Sequence, residues 1–374
     1  MFNKKINNLI ICAMLMSIVF LMALYSIEEV QSVQVDERTI TDANGNSVTI
    51  NGTIDSIITL NTDAAEAVRL LGAEHKIIGI SHHIQKDYRF FPMIHTKPVV
   101  SRWREPLNIE DILTVSRDYN NTILLTYSRW SPNPEDLEDK LIGREHNITI
   151  VRLDFYRPET LANEIKQLGI VLKCHPGTQD RATQYIEMHD NIVNQIRATV
   201  AEIPKNERPL VFTGSRPVGD LEWRAAGIGT STYGLAEIAG ANNIITDEGW
   251  HNIGLEFLIR ERPEKVMLWG GMGGYGIDCT ARLRDERFEP FINAPGMKTI
   301  PAVPYNVFVF DSDTGTSPAF FVTLAMLVEW WHPEKFDLCH LTIHQEYLDR
   351  FHPNLGFDVR KQGAFYYHRI PILN

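Results

Sequence analysis

The sequence predicts an α/β protein made of two Rossmann-like lobes, each with a mainly parallel central sheet, joined by one long α-helix. Three observations carry this prediction. Strand-like and helical segments alternate in both halves of the 374-residue chain. The stretch 179–203 contains neither Gly nor Pro and places apolar residues near helical spacing. The two halves also repeat one order of elements, which indicates a duplicated plan.

Composition and charge place the chain among ordinary globular proteins. Hydrophobic residues make up 44% of the chain and charged residues 22%, which excludes a disordered, collagen-like or multi-spanning membrane protein. Lys and Arg number 36 against 47 Asp and Glu, so the net charge is −11. No basic excess is present to attract nucleic acid, which is therefore excluded as a partner.

Residues 1–34 are predicted to be a signal sequence or an N-terminal membrane anchor. Lys4 and Lys5 precede a predominantly apolar run over 9–25, and polar residues follow from Glu28. The length of this run suits either fate, and the flanking lysines favour a cytoplasmic start. The rest of the chain is therefore expected outside the cytoplasmic membrane. We favour a retained anchor, while cleavage stays open.

The N-terminal α/β lobe is predicted over residues 35–177. A helix begins at Asn61 or Thr62, either of which could cap it, and ends at Gly72; another helix begins at Asn108 and a third lies near 134–141. The predicted strands lie at 56–60, 76–80, 122–126 and 148–153, after a hairpin over 39–50 that turns at Asn44–Gly45. Strands that alternate with helices in this way form a parallel sheet.

Residues 178–204 are predicted to be the linking helix, and residues 205–374 the C-terminal lobe with a C-terminal extension. The first helix of each half ends in a similar tetrapeptide, Leu-Leu-Gly-Ala before 74 and Ile-Ala-Gly-Ala before 242. Asn108-Ile-Glu and Gly254-Leu-Glu then begin corresponding helices. The first half carries an insertion rich in His and aromatic residues between its copied elements.

Cysteine, histidine and nucleophile patterns predict no metal site and no enzyme. Cys174, Cys279 and Cys339 are the cysteines beyond the N-terminal segment, so at most one disulfide can form, and whether Cys279 and Cys339 pair stays open. CxxC, HExxH and GxSxG motifs do not occur. His82–His83 could bind a bare metal ion, but no carboxylate stands beside them at ligand spacing.

Several segments resemble the substrate-binding proteins of ABC importers that capture iron chelates, haem and cobalamin. These segments are Arg38-Thr-Ile-Thr-Asp-Ala-Asn-Gly-Asn, Leu71-Gly-Ala, Ile77-Ile-Gly-Ile, Asn108-Ile-Glu-Asp-Ile, Ile238-Ala-Gly-Ala-Asn-Asn and Val307-Phe-Val-Phe-Asp. The resemblance spans roughly residues 36–350. Glu329-Trp-Trp-His-Pro-Glu-Lys-Phe and His344-Gln-Glu-Tyr are similar to the archaeal branch of that family. The family's lipoprotein cysteine at the signal cleavage point is missing.

The resemblance implies a class III periplasmic-binding-protein fold and a function without chemistry. The chain would capture a ferric chelate of the siderophore type between its lobes and deliver it to an ABC permease with its ATPase subunits. Cobalamin, another corrinoid or haem is the alternative ligand. No covalently bound cofactor and a monomeric state are expected. A membrane-tethered sensor and a secreted hydrolase are the competing classes of function.

Candidate ligand contacts are rings and arginines that follow predicted strands, because ligands bind at the carboxyl ends of strands in open α/β sheets. They are Trp103, Arg104, Tyr127, Arg129, Trp130, Tyr156, Arg157, Arg216, Trp250, Trp269 and Tyr275. Rings provide apolar walls for a planar or chelated complex, and guanidinium groups bind its anionic oxygens. The alternative for each ring is packing between lobes, and for each arginine a surface ion pair.

Glu110 and Glu256 occupy equivalent places in the two copied helices. In the family that the chain resembles, a surface acid on each lobe contacts arginines of the permease, which implies this docking role for both residues. The ordinary alternative is compensation of the helix dipole at a helix start.

Overall fold

The structure is a computed structural model that describes residues 36–102, 105–129, 137, 141, 147–173, 175–271, 273–276 and 279–369. The predicted signal or anchor, most of the helix predicted near 134–141, and Cys174 lie outside these ranges. Within them, no helix is both long and apolar enough to cross a membrane.

The N-terminal lobe is built on a five-stranded sheet whose strands are all parallel. The strands of this lobe are β1 (Glu37–Thr41), β2 (Ser47–Asn51), β3 (Ser56–Thr59), β4 (Ile77–Ser81), β5 (Val99–Ser101), β6 (Thr122–Thr126) and β7 (Ile148–Arg152). β1 and β2 form the predicted hairpin, and the large sheet has the order β5-β4-β3-β6-β7. The chain therefore reverses its direction of progress between β3 and β6, which places a crevice at their carboxyl ends.

Four helices of the N-terminal lobe are described. They are α1 (Thr62–Leu70), α2 (His82–Lys86), α3 (Ile109–Ser116) and α4 (Leu161–Val171). The Asn108 side chain caps α3 by accepting a hydrogen bond from the backbone N–H of Glu110 at 3.1 Å. Asn61 stands at the N-cap of α1, yet its side chain makes no capping hydrogen bond. Gly72 follows α1 with a φ of 82°, a left-handed conformation that favours Gly.

The predicted linking helix is α5 (Thr178–Ala201), which has 24 residues and is about 36 Å long. Its buried face includes Tyr185, Ile192 and Ile196. The Tyr185 hydroxyl donates to the backbone oxygen of Pro318 at 2.7 Å. The helix is thus fixed to the C-terminal lobe by a buried hydrogen bond as well as by apolar packing.

The C-terminal lobe has a seven-stranded sheet. Its strands are β8 (Leu210–Val218), β9 (Glu222–Ala226), β10 (Asn242–Asn243), β11 (Trp250–Gly254), β12 (Lys265–Trp269), β13 (Val307–Phe310) and β14 (Tyr366–His368). β8, β10, β12 and β13 are parallel, whereas β9, β11 and β14 add antiparallel edges. The predicted fold class of two mainly parallel lobes joined by a helix is confirmed.

Helices and turns of helix cover both faces of this sheet. They are α6 (Ser231–Ile238), α7 (Leu255–Glu261), α8 (Cys279–Leu283), α9 (Glu289–Asn293), α10 (Ser312–Gly315), α11 (Phe320–Trp331) and α12 (His340–Phe351), with a π-helical turn over Arg284–Phe288. Helix α11 is buried along nearly its whole length. It therefore forms the centre of the helical layer in this lobe.

One apolar cluster contains residues from both lobes. Phe90, from the insertion after β4, stacks on Tyr275 of the C-terminal lobe with ring centroids 4.2 Å apart and an interplanar angle of 4°. Phe351 at the end of α12 packs edge-on against Tyr185 of the linking helix. The lobes therefore share a continuous apolar interface in addition to the linking helix.

Candidate functional site

The first half of the candidate site lies where strand order reverses in the N-terminal lobe. We call Asp63, Tyr127, Asp154, Tyr156 and Arg157 the N-terminal rim. The Tyr127 hydroxyl donates to Asp63 Oδ1 at 2.7 Å, and the rings of Tyr127 and Tyr156 meet edge-on at 4.8 Å. Arg157 Nε donates to the Tyr156 hydroxyl at 3.2 Å. Both tyrosines and Arg157 are half-buried, so each retains some surface for contact.

Asp154 holds Ser128 and Arg157 in place within the N-terminal rim. Its Oδ1 accepts the backbone N–H of Ser128 at 2.7 Å, and its Oδ2 accepts the Ser128 hydroxyl at 2.5 Å. Arg157 Nε lies 3.3 Å from the same Oδ2. Because Asp154 is buried, these contacts tie the segment after β6 to the segment after β7.

Asp63 is buried and has an unusual titration. Burial raises its pKa to about 7, against the opposing effect of the hydrogen bond from Tyr127. Among the described residues, its Oδ2 has no hydrogen-bond partner, and neither amide atom of the neighbouring Asn61 has one. The site therefore holds a carboxyl group that changes charge near neutral pH.

Buried polar atoms that have no partner in the described part of the chain lie at the carboxyl ends of the N-terminal strands. They belong to Thr59, Asn61, Asp63, Ser81, Ser101 and Thr126. Buried polar atoms are normally hydrogen-bonded to protein or ordered water.

The second half of the candidate site is the C-terminal rim, defined as Arg216, Trp250, Trp269, Arg282 and Arg287. The rings of Trp250 and Trp269 are 6.1 Å apart and tilted by 52°. Trp269 Nε1 donates to Ser312 Oγ at 2.9 Å, which fixes the orientation of its ring. Trp250 is 37% exposed, so this aromatic pair presents one accessible ring and one anchored ring.

One arginine contacts Trp269, and two more lie near enough to that arginine to act on its charge. Arg287 Nε donates to the backbone oxygen of Trp269 at 3.3 Å. Burial lowers the pKa of Arg287, and the positive charges of Arg282 and Arg216 lower it further. Arg282 pairs with buried Asp311 at 3.3 Å, whereas Arg216 is exposed. The rim therefore combines aromatic surface with a positive charge that suits an anionic ligand.

Arg282 and Arg287 were not expected from the sequence. They lie on α8 and the π-helical turn, and no strand precedes them closely enough to mark them as strand-end residues. The sequence offered only a segment that mixes Arg with Asp and Glu, which is typical of an exposed helix. Their place beside Trp269 arises from how this segment packs on the sheet.

The predicted ligand residues have different placements. Trp103, Arg104 and Trp130 lie outside the described residues. Arg129 is exposed, and within the described ranges it forms no ion pair. Tyr275 is fully buried, and its hydroxyl hydrogen-bonds with His344 Nε2 at 2.9 Å. This placement of Tyr275 favours the alternative interpretation, in which the ring packs between the lobes.

Glu110 and Glu256 both lie exposed in the first turn of their helices, α3 and α7. Their equivalent positions in the two lobes agree with the sequence repeat. Docking on a permease stays a prediction.

His82 and His83, the pair that could bind a bare metal ion, lie side by side. The rings of His82 and His83 are 3.9 Å apart, and burial together with the charge of His82 lowers the pKa of His83 to about 4. Among the described residues, no group of three or more His, Cys, Asp or Glu side chains is arranged to hold a metal ion.

Two cavities lie away from the rims. One of about 230 Å³ is lined by residues that include Phe308, Trp330 and His340. Another of about 310 Å³ is lined by residues that include Glu159 and Arg197. Neither cavity has a rim residue in its lining, so the candidate site is defined by its side chains rather than by either cavity.

Comparison with known proteins identifies the fold. No family model and no curated protein matches the chain. A TroA-like periplasmic binding protein, FepB from Veillonella parvula, is similar with a TM-score of 0.66 and 19% identity, over 89% of this chain and 99% of that one. A periplasmic haem-binding protein from Pseudomonas aeruginosa gives 0.58 and 21%, over 76% and 95%.

The molybdate periplasmic binding protein MolA from Haemophilus influenzae, solved with molybdate, gives a TM-score of 0.64 and 15% identity. The match covers 84% of this chain and 97% of MolA. At these identities the likeness shows the fold alone. The chain has the class III periplasmic-binding-protein fold.

Proposed function

We propose that the chain is the extracytoplasmic solute-binding protein of an ABC importer and that it captures a ferric chelate of the siderophore type between its lobes. The observation that carries this proposal is the pairing of aromatic rings with arginines on rims at the strand ends of both lobes. The solved structures with this fold include periplasmic binding proteins by name. The segment Glu329–Phe336 supports a place in the archaeal branch.

The chemistry of the rims suits such a ligand. A ferric chelate presents anionic oxygens around the metal and apolar or aromatic arms outside it. Arg216 and Arg287 can bind the oxygens by charge-assisted hydrogen bonds, each of which contributes about 1.5–3 kcal/mol. Trp250 and Tyr156 can cover the arms. The titratable groups of the rims hold other side chains in place. Ligand binding requires no covalent step, so we propose no enzyme activity.

Haem or a corrinoid is the second candidate ligand. The Trp250–Trp269 pair supports it, because a broad planar ring system can stack on the exposed tryptophan while its carboxylates meet the arginines. A haem-binding protein is also among the similar structures.

Fluorescence titration of the full chain in detergent tests this function. Ferric siderophores, haemin and cobalamin are added separately, and quenching of tryptophan emission is followed. We expect saturable quenching by one of the three, and Arg216→Ala should weaken that binding about 10-fold or more. Arg117→Ala is the control, because Arg117 is an exposed arginine that follows α3 in the other lobe and belongs to neither rim.

Two results would overturn the proposal. One is the absence of saturable quenching by all three ligand classes. The other is an equal loss of affinity in the Arg216 and Arg117 variants, because the rim would then have no special part in binding.

We further propose that residues 1–34 tether the protein to the membrane, that the protein acts as a monomer, and that Glu110 and Glu256 contact the permease. The exposed, equivalent placement of the two acids supports the last point.

A further inference from the structure

Three Asn-X-Thr tripeptides occur in the chain, and all three lie in the N-terminal lobe. They are Asn51-Gly-Thr53, Asn120-Asn-Thr122 and Asn147-Ile-Thr149. With X other than Pro, this pattern is the acceptor for N-linked glycans in exported proteins. Such tripeptides also arise by chance, so the pattern alone assigns no site. Their placement in the fold is the further evidence.

The three asparagines lie at the amino ends of neighbouring strands. Asn51 is the last residue of β2 and comes shortly before β3, Asn120 comes shortly before β6, and Asn147 comes directly before β7. β3, β6 and β7 are adjacent and parallel, so their amino ends form one edge of the sheet. We call Asn51, Asn120 and Asn147 the acceptor edge.

Hydrogen bonds join the three tripeptides directly. The Asn121 side-chain amide donates to the backbone oxygens of Asn51 and Thr53 at 2.7 and 3.0 Å. The backbone N–H of Thr122 donates to the backbone oxygen of Asn147 at 3.0 Å. The three patterns are therefore parts of one surface, although almost a hundred residues separate the first from the last.

This edge is opposite the candidate ligand site. The N-terminal rim follows the carboxyl ends of β6 and β7, where Tyr127 and Asp154 lie. Each of these strands has five residues and is therefore about 16 Å long. A bulky group on the acceptor edge would extend away from the rim. Glycosylation there is compatible with ligand capture between the lobes.

The three tripeptides differ in how accessible their threonines are. All three asparagines are exposed, but the pattern also requires the Thr hydroxyl. Thr53 is exposed, Thr149 on β7 is half-buried, and Thr122 is buried with its hydroxyl 2.8 Å from Ser56 Oγ. On the folded chain the first tripeptide is therefore fully accessible and the second is closed.

Local backbone geometry also favours the first tripeptide. Gly52 has a φ of 68°, a left-handed conformation that favours Gly. The chain turns there between β2 and β3, and Thr53 lies outside both strands. Acceptor tripeptides are typically placed in such surface turns.

We propose that Asn51 carries an N-linked glycan in the exported protein and that Asn147 is a second, less occupied site. The co-reactant is an oligosaccharide linked to a lipid phosphate. The Asn51 side-chain nitrogen forms a bond to the anomeric carbon of the sugar, and the bond between that carbon and the phosphate oxygen breaks. The lipid phosphate leaves with its oxygen, the amide nitrogen loses one proton to a base of the transferring enzyme, and no oxidation or reduction occurs.

This proposal rests on the export that the proposed function requires, and it does not depend on which solute is bound. A glycan at this edge would add a hydrophilic layer to the side of the N-terminal lobe that faces away from the rims.

Mass spectrometry of the full chain, purified from the cells that naturally make it, tests the proposal. Trypsin cleaves after Lys and Arg and therefore places the three tripeptides in separate peptides, 39–69, 118–129 and 145–152. Glycan occupancy should be highest in peptide 39–69, lower in 145–152 and lowest in 118–129. Sugar fragment ions distinguish a glycan from deamidation of the asparagine.

Variants connect the modification to the pattern. Asn51→Gln and Thr53→Ala should each remove the glycan from peptide 39–69, whereas Thr53→Ser should keep it. Asn121 binds only the backbone oxygens of these two residues, so the substitutions leave its hydrogen bonds in place. Asn46→Gln is the control, because Asn46 is an exposed asparagine of the same peptide outside the pattern, and it should keep the glycan.

Three outcomes would overturn the proposal: exported protein whose peptide 39–69 is unmodified, a glycan that persists in Thr53→Ala, or higher occupancy in peptide 118–129 than in 39–69. Failure of all solutes to bind while the glycan is present would reject the solute function alone. Recovery of the protein from the cytoplasm would reject the export that both proposals need.

Discussion

At the scale of single residues, Asp154 shows how one buried carboxylate orders a set of candidate ligand contacts. It holds Ser128 by two hydrogen bonds and Arg157 by charge. Arg157 in turn orients Tyr156. The sequence could identify Tyr156 and Arg157 as strand-end residues, but it could not identify Asp154 as their support, because that role depends on Ser128 of a neighbouring strand end.

Tyr275 is a residue whose sequence position predicts ligand contact, whereas the structure buries its side chain. Its position after a Gly-rich loop is typical of a binding residue. Its burial depends on Phe90, which is far away in the chain and reaches it only because the insertion after β4 crosses to the other lobe. No local pattern in either segment carries that information.

Buried acids predict how stability changes with pH. Burial raises the pKa of Asp63 and Glu164 to about 7 and that of Glu66 to about 8. The folded state thus binds protons that the unfolded chain releases above about pH 4. Stability should be highest near pH 4–5 and fall as pH rises to 8, by up to about 1.4 kcal/mol per pH unit for each group.

Thermal unfolding between pH 4 and pH 9 measures this dependence. Glu164→Gln should flatten the curve between pH 5 and pH 7, and Asp285→Asn should not change it there. Asp285 is exposed and its pKa is lowered by Arg284, so its contribution is lost only below about pH 4. A melting temperature that rises steadily from pH 5 to pH 8 would contradict the prediction.

At the scale of elements, the parallel strands and their helices were predictable because each has a local pattern. β3, β4, β6 and β13 are buried on both faces and appear in the sequence as short runs of β-branched and apolar residues. The antiparallel edges β9, β11 and β14 carry no such run. They owe their place to pairing, β9 with β8, β11 with β9 and β14 with β13, which a local pattern does not record.

Gly169 and Gly234 both lie in helices, but they differ in what an added Cβ atom would contact. A Cβ at Gly169 in α4 would lie 3.1 Å from the Cβ of Ala182 in α5. The same addition at Gly234 in α6 would meet the carboxylate of Glu159, the end of a flexible and exposed side chain. The first neighbour is held by a packed helix, whereas the second can move into water.

Alanine at these two positions should therefore have opposite effects. Gly234→Ala should raise the free energy of unfolding by about 0.5–1 kcal/mol, since Gly is a poor helix former. Gly169→Ala should lower it, because overpacking between α4 and α5 offsets that gain. Denaturation in urea measures both variants. A stabilised Gly169 variant, or a destabilised Gly234 variant, would show that this distinction is wrong.

At the scale of the whole molecule, the two lobes act as one body with a shared interface. The linking helix was predictable from its length and from the absence of Gly and Pro. The shared interface was not, because it joins α1, the insertion after β4 and α12, which are widely separated in the chain. A protein whose lobes share an interface presents both lobes together to a partner that contacts both of them.

Glu110 and Glu256 provide the test of that joint presentation. Each is exposed on an equivalent helix start, so a permease that contacts one acid per lobe would need both. Glu110→Lys with Glu256→Lys should abolish solute uptake by cells, because two attractive contacts become repulsive. Ligand affinity should not change, since neither residue belongs to a rim.

Asp118→Lys with Glu207→Lys is the control, because it makes the same charge change at exposed positions elsewhere on the two lobes. Uptake should persist in this control. Uptake that survives in the first pair, or fails equally in both pairs, would show that these acids do not determine docking.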